Sequence, residues 1–384
     1  MRTALAVVLW ASLALIVYAH AGYPLLLAAL ARLRRRAEPP LPEPSLPRVS
    51  LIVAAHDEEA VIERRVENAI ALDYPPERLE LIVASDGSAD GTVEVASAAA
   101  AATGSGRVRV LDLPRGGKVR AQDAAVEEAT GDVLAFSDAN ALWKPDALRL
   151  LVGRLAEPDV GYVCGQLRYL APDGTNLEGV YWRYESAVRA LESRLGSITA
   201  GNGAVYAVRR EAYLRLDPRT SHDLSFPFNL VRRGWRAVYQ PLAVAIERPL
   251  ASIEGEFRRK RRMMSHAWPA VLAGGMLDPR GYGPLYALEI YSHRLLRYAT
   301  PFLHVLALAV NVPLAFGSWL YAATLGAQLA FLVAALLGRL TGGRPRLLGL
   351  PYYYLLVTAS LAAGLWDWLR RGTPPTWERA EGRP

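Results

Sequence analysis

The spacing of hydrophobic positions divides the chain into three regimes. From Thr3 to Ala31 no residue is charged, a stretch longer than the roughly 20 residues a helix needs to cross a bilayer. Between 48 and 250, short β-rich runs alternate with helical patterns, the signature of an α/β domain with a mostly parallel sheet. Val49–Val53 reads as a strand, followed by a helix from about Glu58 with Ile62, Val66, Ala69 and Ile70 on one face. Leu79–Val83 is the second strand and Val108–Leu111 the third; a helix over 118–129 then precedes a fourth strand, Val133–Phe136. Three further apolar stretches, at about 298–317, 318–338 and 347–366, predict more membrane helices.

These patterns divide the chain into an N-terminal transmembrane helix (1–31), a basic and proline-rich linker (32–47) and an α/β domain (48–250). After it come amphipathic interface helices (251–297), about three C-terminal transmembrane helices (298–369) and a tail (370–384). Ala19-His20-Ala21 has the small-x-small form of a signal-peptide cleavage site. The apolar run continues past it and ends in Arg32-Leu-Arg-Arg-Arg36, a stop signal that places the following domain in the cytoplasm.

Composition sharpens this picture. The 384 residues include 44 Lys plus Arg against 37 Asp plus Glu, and one cysteine, which excludes a disulfide scaffold and a Cys-cluster metal site. The net charge of +7 invites a nucleic-acid reading until it is placed along the chain. Residues 1–36 hold five Arg and no acid, and residues 284–384 hold nine Arg and four acids, so the stretch between them is slightly acidic. Basicity flanking apolar segments is the membrane pattern, and nucleic-acid binding is set aside. One conflict remains: four crossings would put Arg370 and Arg371 outside, where the positive-inside rule does not want them.

Polar groups gather where the strands end, the edge at which open α/β sheets bind ligands. His56-Asp57-Glu58-Glu59 follows the first strand, Ser85-Asp86-Gly87-Ser88 the second and Ser137-Asp138-Ala139-Asn140 the fourth, with Ser221-His222-Asp223 farther along. Each could be an ordinary cap or turn, but independent turns have no reason to put carboxylates after three strands at one edge. Asp138 and Asn140 offer hard oxygen ligands two positions apart, suited to Mg²⁺ or Mn²⁺ with phosphates completing the shell. Arg115-Gly116-Gly117-Lys118 opens a helix, so its amides and lysine can face a diphosphate. Neither a GxGxxG nor a GxxxxGK[ST] motif is present, against NAD and ATPase readings.

The order Val49–Glu59, Ser85–Asp90, Gly117-Lys118, Asp138-Ala-Asn140, Gly201-Asn-Gly203, His222-Asp223 and the basic run Arg258–Arg262 resembles the family 2 glycosyltransferases. The likeness is greatest to membrane-embedded bacterial enzymes related to poly-N-acetylglucosamine, hyaluronan and cellulose synthases. It covers about residues 48–275. It implies a GT-A fold, Rossmann-like with a mostly parallel sheet, as a cytoplasmic domain with flanking transmembrane helices in a plasma membrane, and inverting transfer from a nucleotide sugar, typically a UDP-sugar.

On this resemblance Ala55, Asp57 and Glu59 border the base and ribose, Asp86 holds the base side, and Lys118, Arg259 and Arg262 serve the diphosphate. Asp138 and Asn140 stand beside sugar and metal, Asp223 is the general base, and His222 assists the metal or orients Asp223. Gly201, Asn202, Gly203 and Trp182 belong to the acceptor side, with Tyr184 and Glu185 as further candidates. The partners implied are a nucleotide-sugar donor, a glycan or lipid acceptor and membrane lipids; the oligomeric state is left open.

Departures from the family pattern matter too. Ser85 and Asn140 replace aspartates, Asp123 stands where Asn is common, and the QxxRW motif reads Arg259-Lys-Arg-Arg262-Met263, with Trp268 farther on. The leading expectation is a metal-assisted transferase extending a polysaccharide or glycan. The alternative is a single transfer to a lipid, and outside the class stand a transporter and an inactive nucleotide-sugar-binding regulator.

Overall fold

The computed structural model describes residues 1–33, 46–104, 106–169, 177–220, 222–247 and 253–374. Most of the expected linker, Ser221 and the tail beyond 374 lie outside these residues. A continuous helix, α1 (Arg2–Leu33), opens the chain. In the domain, β1 (Val49–Ala55) leads to α2 (Glu59–Ile70), β2 (Leu79–Asp86) to α3 (Thr92–Ala102), and β3 (Val108–Leu113) to α4 (Lys118–Glu128). Then follow β4 (Val133–Asp138), β5 (Leu142–Trp143), α5 (Ala147–Leu155), β6 (Val160–Tyr169), α6 (Leu177–Leu195), β7 (Tyr206–Arg209), α7 (His222–Arg232) and β8 (Arg236–Glu247). Four helices close the chain: α8 (Ile253–Leu272), α9 (Pro284–Ala315), α10 (Trp319–Leu340) and α11 (Arg346–Arg371).

One eight-stranded mixed sheet, ordered β3-β2-β1-β4-β7-β6-β8-β5, organises the domain. Its first four strands are parallel, as the sequence pattern predicts, while β7 runs antiparallel to both β4 and β6. Strands β1, β2 and β4 are buried along nearly their whole length, which is why they read as continuous apolar runs without alternation. One apolar layer, with Leu51, Val53, Ile62, Val66 and Leu151, covers one face. The other is built around Ile52, Phe136, Tyr206 and Phe226, with the Phe136 and Tyr206 rings stacked at 4.8 Å.

A third apolar cluster fastens the domain to the C-terminal helices. It joins Leu224 and Phe228 of α7 to Trp268 of α8, Ile290 and Tyr298 of α9, and Leu361 of α11. Among the described residues, four helices are long and apolar enough to cross a membrane: α1, α9, α10 and α11. Phe302, Val305, Phe316, Trp319, Val333 and Leu347 lie exposed along the last three, an apolar outer surface that suits lipid better than water. Helix α9 starts at Pro284, so the boundary drawn at 297/298 from hydropathy falls inside a continuous helix.

Candidate active site

A cavity of about 340 Å³ opens at the carboxyl ends of β1, β2 and β4 and extends to α8, α9 and α11. Ala55, Asp86, Lys118, Asp138, Asn140, Trp182, Gly201, Asn202, Gly203, His222, Asp223, Arg259 and Arg262 all line it. Asp57 and Glu59 do not. Asp57 takes a left-handed conformation with φ 52°, which turns its carboxylate away from the cavity to accept the Ala89 amide at 2.7 Å. Glu59 likewise accepts the Gly91 amide at 3.1 Å. Both carboxylates are spent on the loop after β2, and their neighbours His56 and Glu58 face the cavity instead.

Asp86 shapes the loop before α4. Its buried carboxylate accepts the amides of Gly116 and Gly117 at 2.7 and 2.8 Å and pairs with Arg115 at 2.9 Å. Gly117 has φ 95°, a conformation glycine adopts without strain, and the chain enters α4 immediately afterwards with Lys118 in the first turn. Lys118 forms an ion pair with Asp138 at the end of β4. Gly203 approaches so closely that a Cβ there would lie 3.2 Å from the Lys118 Nζ.

His222 is buried, and burial first, then the charge of Lys118, push its pKa down to about 3. It is therefore neutral near pH 7. Its Nδ1 lies 3.3 Å from the Tyr206 hydroxyl, while its Nε2 has no hydrogen-bond partner among the described residues. A neutral imidazole with an orphaned nitrogen, beside a carboxylate and an amide oxygen in one cavity, fits a divalent cation. Among the described residues no group of three or more His, Cys, Asp and Glu side chains is gathered to hold a metal alone; the donor set suits an ion whose shell phosphates complete.

The Gly201–Gly203 loop is held from behind. Arg189 donates to the carbonyls of Ala200 and Gly201, both at 3.0 Å, and the Gly201 amide donates to the Asp223 carbonyl at 2.7 Å. Asn202 is buried and serves the turn itself, accepting the amides of Ala204 and Val205 at 3.2 and 3.0 Å. Trp182 and Tyr169 lie side by side with ring centroids 6.0 Å apart, and Arg259 donates to the Tyr169 hydroxyl at 3.0 Å. Tyr184 turns outward to the His20 carbonyl. Asp123 accepts the Tyr213 hydroxyl at 2.6 Å, outside the cavity lining.

Sequence reasoning passed over Arg294, Arg297 and Tyr298, which line the cavity together with Val357, Ser360 and Leu361. Arg297 pairs with Glu185; burial opposes the charge on Glu185, but Arg297 and His293 overcome it and hold its carboxyl well below the usual range. The signal was available as two arginines three residues apart, just before an apolar run. Trp268 does not line the cavity: its ring packs on Tyr298 at 5.3 Å, and its indole N–H donates to the Leu361 carbonyl at 2.8 Å.

Comparison with known proteins matches residues 50–238 to the family described as Glycosyl transferase family 2. Residues 50–238 are a family 2 glycosyltransferase domain. Probable glycosyltransferase YdaM of Bacillus subtilis is 25% identical over 56% of this chain and 54% of its own length. An N-acetylglucosaminyltransferase of Rhizobium meliloti is 29% identical over 54% of this chain and 52% of its own. The chain thus spans about half the length of these curated relatives. Among solved structures, the mannosyltransferase PcManGT from Pyrobaculum calidifontis, in complex with GDP-Man and Mn²⁺, superposes with a TM-score of 0.74. At 24% identity it covers 94% of this chain and 99% of its own. The glycosyltransferase domain has the GT-A fold, and the superposition extends beyond it over most of the chain.

Proposed function

We propose that this protein moves one sugar from a nucleotide-sugar donor, with inversion, to an acceptor lodged in the membrane. The observation that carries the reading is a single cavity with a phosphate-binding end and a membrane-helix end. Lys118, Arg115 and the Asp138–Asn140 segment line it from the sheet edge; Tyr298, Val357, Ser360 and Leu361 line it from helices apolar enough to lie in a bilayer. Asp223 lines the same cavity.

In this reading the acceptor hydroxyl attacks the anomeric carbon as the nucleoside diphosphate leaves, and the Asp223 carboxylate takes the hydroxyl proton. Lys118, with Arg259 and Arg262 at the cavity wall, compensates the charge growing on the diphosphate. Asp138, Asn140 and the His222 Nε2 would hold a Mg²⁺ or Mn²⁺ ion, which when bound supplies further positive charge to the leaving group. Asp86 acts through the Gly116 and Gly117 amides, fixing the phosphate loop. The relative that holds GDP-Man and the sequence resemblance that implies UDP-sugars make both bases worth testing.

The helix arrangement supports three crossings. Arg2 of α1 lies against Gly317 after α9, and Asn311 of α9 donates to Gln328 of α10 at 2.9 Å, so α10 returns toward the domain. Helix α11 instead follows α8: Tyr353 reaches Glu256, Asp367 grips Arg261, and Thr373 donates to the Ser265 carbonyl. A helix that begins and ends on the domain's side lies along the interface, which leaves Arg339, Arg344, Arg346, Arg370 and Arg371 all on the cytoplasmic side. The charge conflict in the sequence then disappears.

The deciding experiment incubates membranes with radiolabelled UDP-GlcNAc, UDP-glucose and GDP-mannose plus Mn²⁺. Label is expected in the organic-solvent extract as a product of one added sugar. Label in a water-soluble polymer would establish chain extension instead, and no turnover or hydrolysis of any donor would overturn the transferase reading.

A further inference from the structure

Helix α2 buries an arginine on its apolar face. Arg65 is 0% exposed, between Ile62 and Val66, and among the described residues it forms no ion pair. Its Nε donates to the Ser137 hydroxyl at 3.2 Å, its Nη1 donates to Asn68 Oδ1 at 2.9 Å, and its plane lies 5.6 Å from the Trp143 ring. The Nη2 has no hydrogen-bond partner among the described residues. Burial pulls the guanidinium down to about 9, against the opposing pull of Asp138, so it remains charged at neutral pH. A buried charge without a paired carboxylate is costly, and an apolar side chain of similar volume would avoid that cost.

The neighbours show what the charge obtains. Ser137 passes the contact on, donating to the Asp138 carbonyl at 3.0 Å. Asn68 closes the other end, accepting the Trp143 amide and donating to the Trp143 carbonyl, both at 2.9 Å. Between Ser137 and Trp143 lie Asp138 and Asn140. We propose that Arg65, with Asn68, is a positioning residue that clamps both ends of the segment presenting Asp138 and Asn140 to the donor and its metal. This rests on the reading of that segment given above.

Neither residue lines the cavity, so the role is indirect and its readout is binding. The full chain in detergent micelles is titrated with Mn²⁺ in the presence of UDP or GDP, following free Mn²⁺ by electron paramagnetic resonance, and its unfolding temperature is measured. Arg65→Met is expected to weaken Mn²⁺ binding about ten-fold or more, the effect of losing an outer group that orients a ligand, while the unfolding temperature stays the same or rises. Arg65→Lys, which keeps the charge but not the fork, recovers only part of the affinity. Ser137→Ala, a small change that preserves the core, weakens binding in the same direction, and adding it to Arg65→Met changes little. Wild-type affinity in both Arg65→Met and Ser137→Ala overturns the clamp; if Arg65→Met fails to fold, Ser137→Ala alone decides. A wild type that binds neither Mn²⁺ nor nucleotide overturns the site reading, and the clamp falls with it.

Discussion

Lys118 and Asp138 meet as an ion pair at the floor of the cavity, one from the first turn of α4 and the other from the last residue of β4. Both side chains are partly exposed on the cavity side, so each can turn to a new partner. In the proposed function a diphosphate would compete for the ammonium and a divalent cation for the carboxylate, so that donor binding would exchange this one pair for two.

Lys118→Met should therefore weaken nucleoside diphosphate binding about 10- to 100-fold, the range for losing one charge-assisted hydrogen bond in a partly desolvated site. Asp138→Asn should remove the dependence of binding on Mn²⁺ while leaving metal-free affinity nearly unchanged. Isothermal titration with UDP and GDP, with and without Mn²⁺, measures both. Wild-type affinity in Lys118→Met would take the lysine out of the phosphate site.

Asp223 tests the chemical step separately from binding. Its main chain is anchored through Gly201, and its Oδ1 accepts the Leu224 amide at 3.1 Å, so the isosteric Asp223→Asn should keep the loop in place. Transfer should fall by about 10² to 10⁴, with diphosphate affinity within about three-fold of wild type. Full transfer rate in this variant would remove Asp223 as the base.

The neutral His222 makes acid a destabilising condition. Its folded pKa of about 3 lies below the ordinary 6.5, burial being the main cause, so between those values the unfolded chain binds a proton that the folded protein does not. The stabilisation is complete above pH 6.5 and is lost as pH falls toward 3, amounting to about 2 kcal/mol by pH 5. His222→Asn should flatten the pH dependence of the unfolding temperature between pH 5 and 6.5. An unchanged slope would contradict a buried neutral imidazole.

What was legible in the sequence follows from period and position. The four parallel strands, α2 and α4 stand within a few residues of where the apolar runs put them, because buried parallel strands carry no competing polar face. The strand-end polar groups were also visible, and most of them converge. The failures are local. Asp57 and Glu59 share a turn with His56 and Glu58, and only the left-handed backbone at Asp57 decides which pair faces the cavity. Arg65 was readable in principle, since position 65 falls on the same helix face as Ile62, Val66 and Ala69. Arg294 and Arg297 were hidden by a span drawn from hydropathy, which stopped at 298 and cut α9 in two.

The pairing of Asp367 with Arg261, at 2.5 and 2.6 Å through both carboxylate oxygens, bears on topology as well as packing. Such a pair, partly exposed, contributes at most about 1 kcal/mol, so it marks where α11 lies more than it holds it there. The buried hydrogen bond from Trp268 to Leu361 is shielded from water, and Trp268→Phe, which removes it while the Leu361 carbonyl keeps its partner within α11, should cost about 0.5 to 1.5 kcal/mol. Because Leu361 lines the cavity, this variant should lose transfer to the membrane acceptor while keeping diphosphate binding. Cysteine labelling tests the arrangement directly, because the single native cysteine, Cys164, is buried. In sealed vesicles Arg344→Cys and Arg370→Cys should react with a membrane-impermeant maleimide from the same side as the catalytic domain, and Phe316→Cys, between α9 and α10, from the other. Labelling of Arg344→Cys and Arg370→Cys from opposite sides would make α11 a fourth crossing and separate it from the acceptor wall.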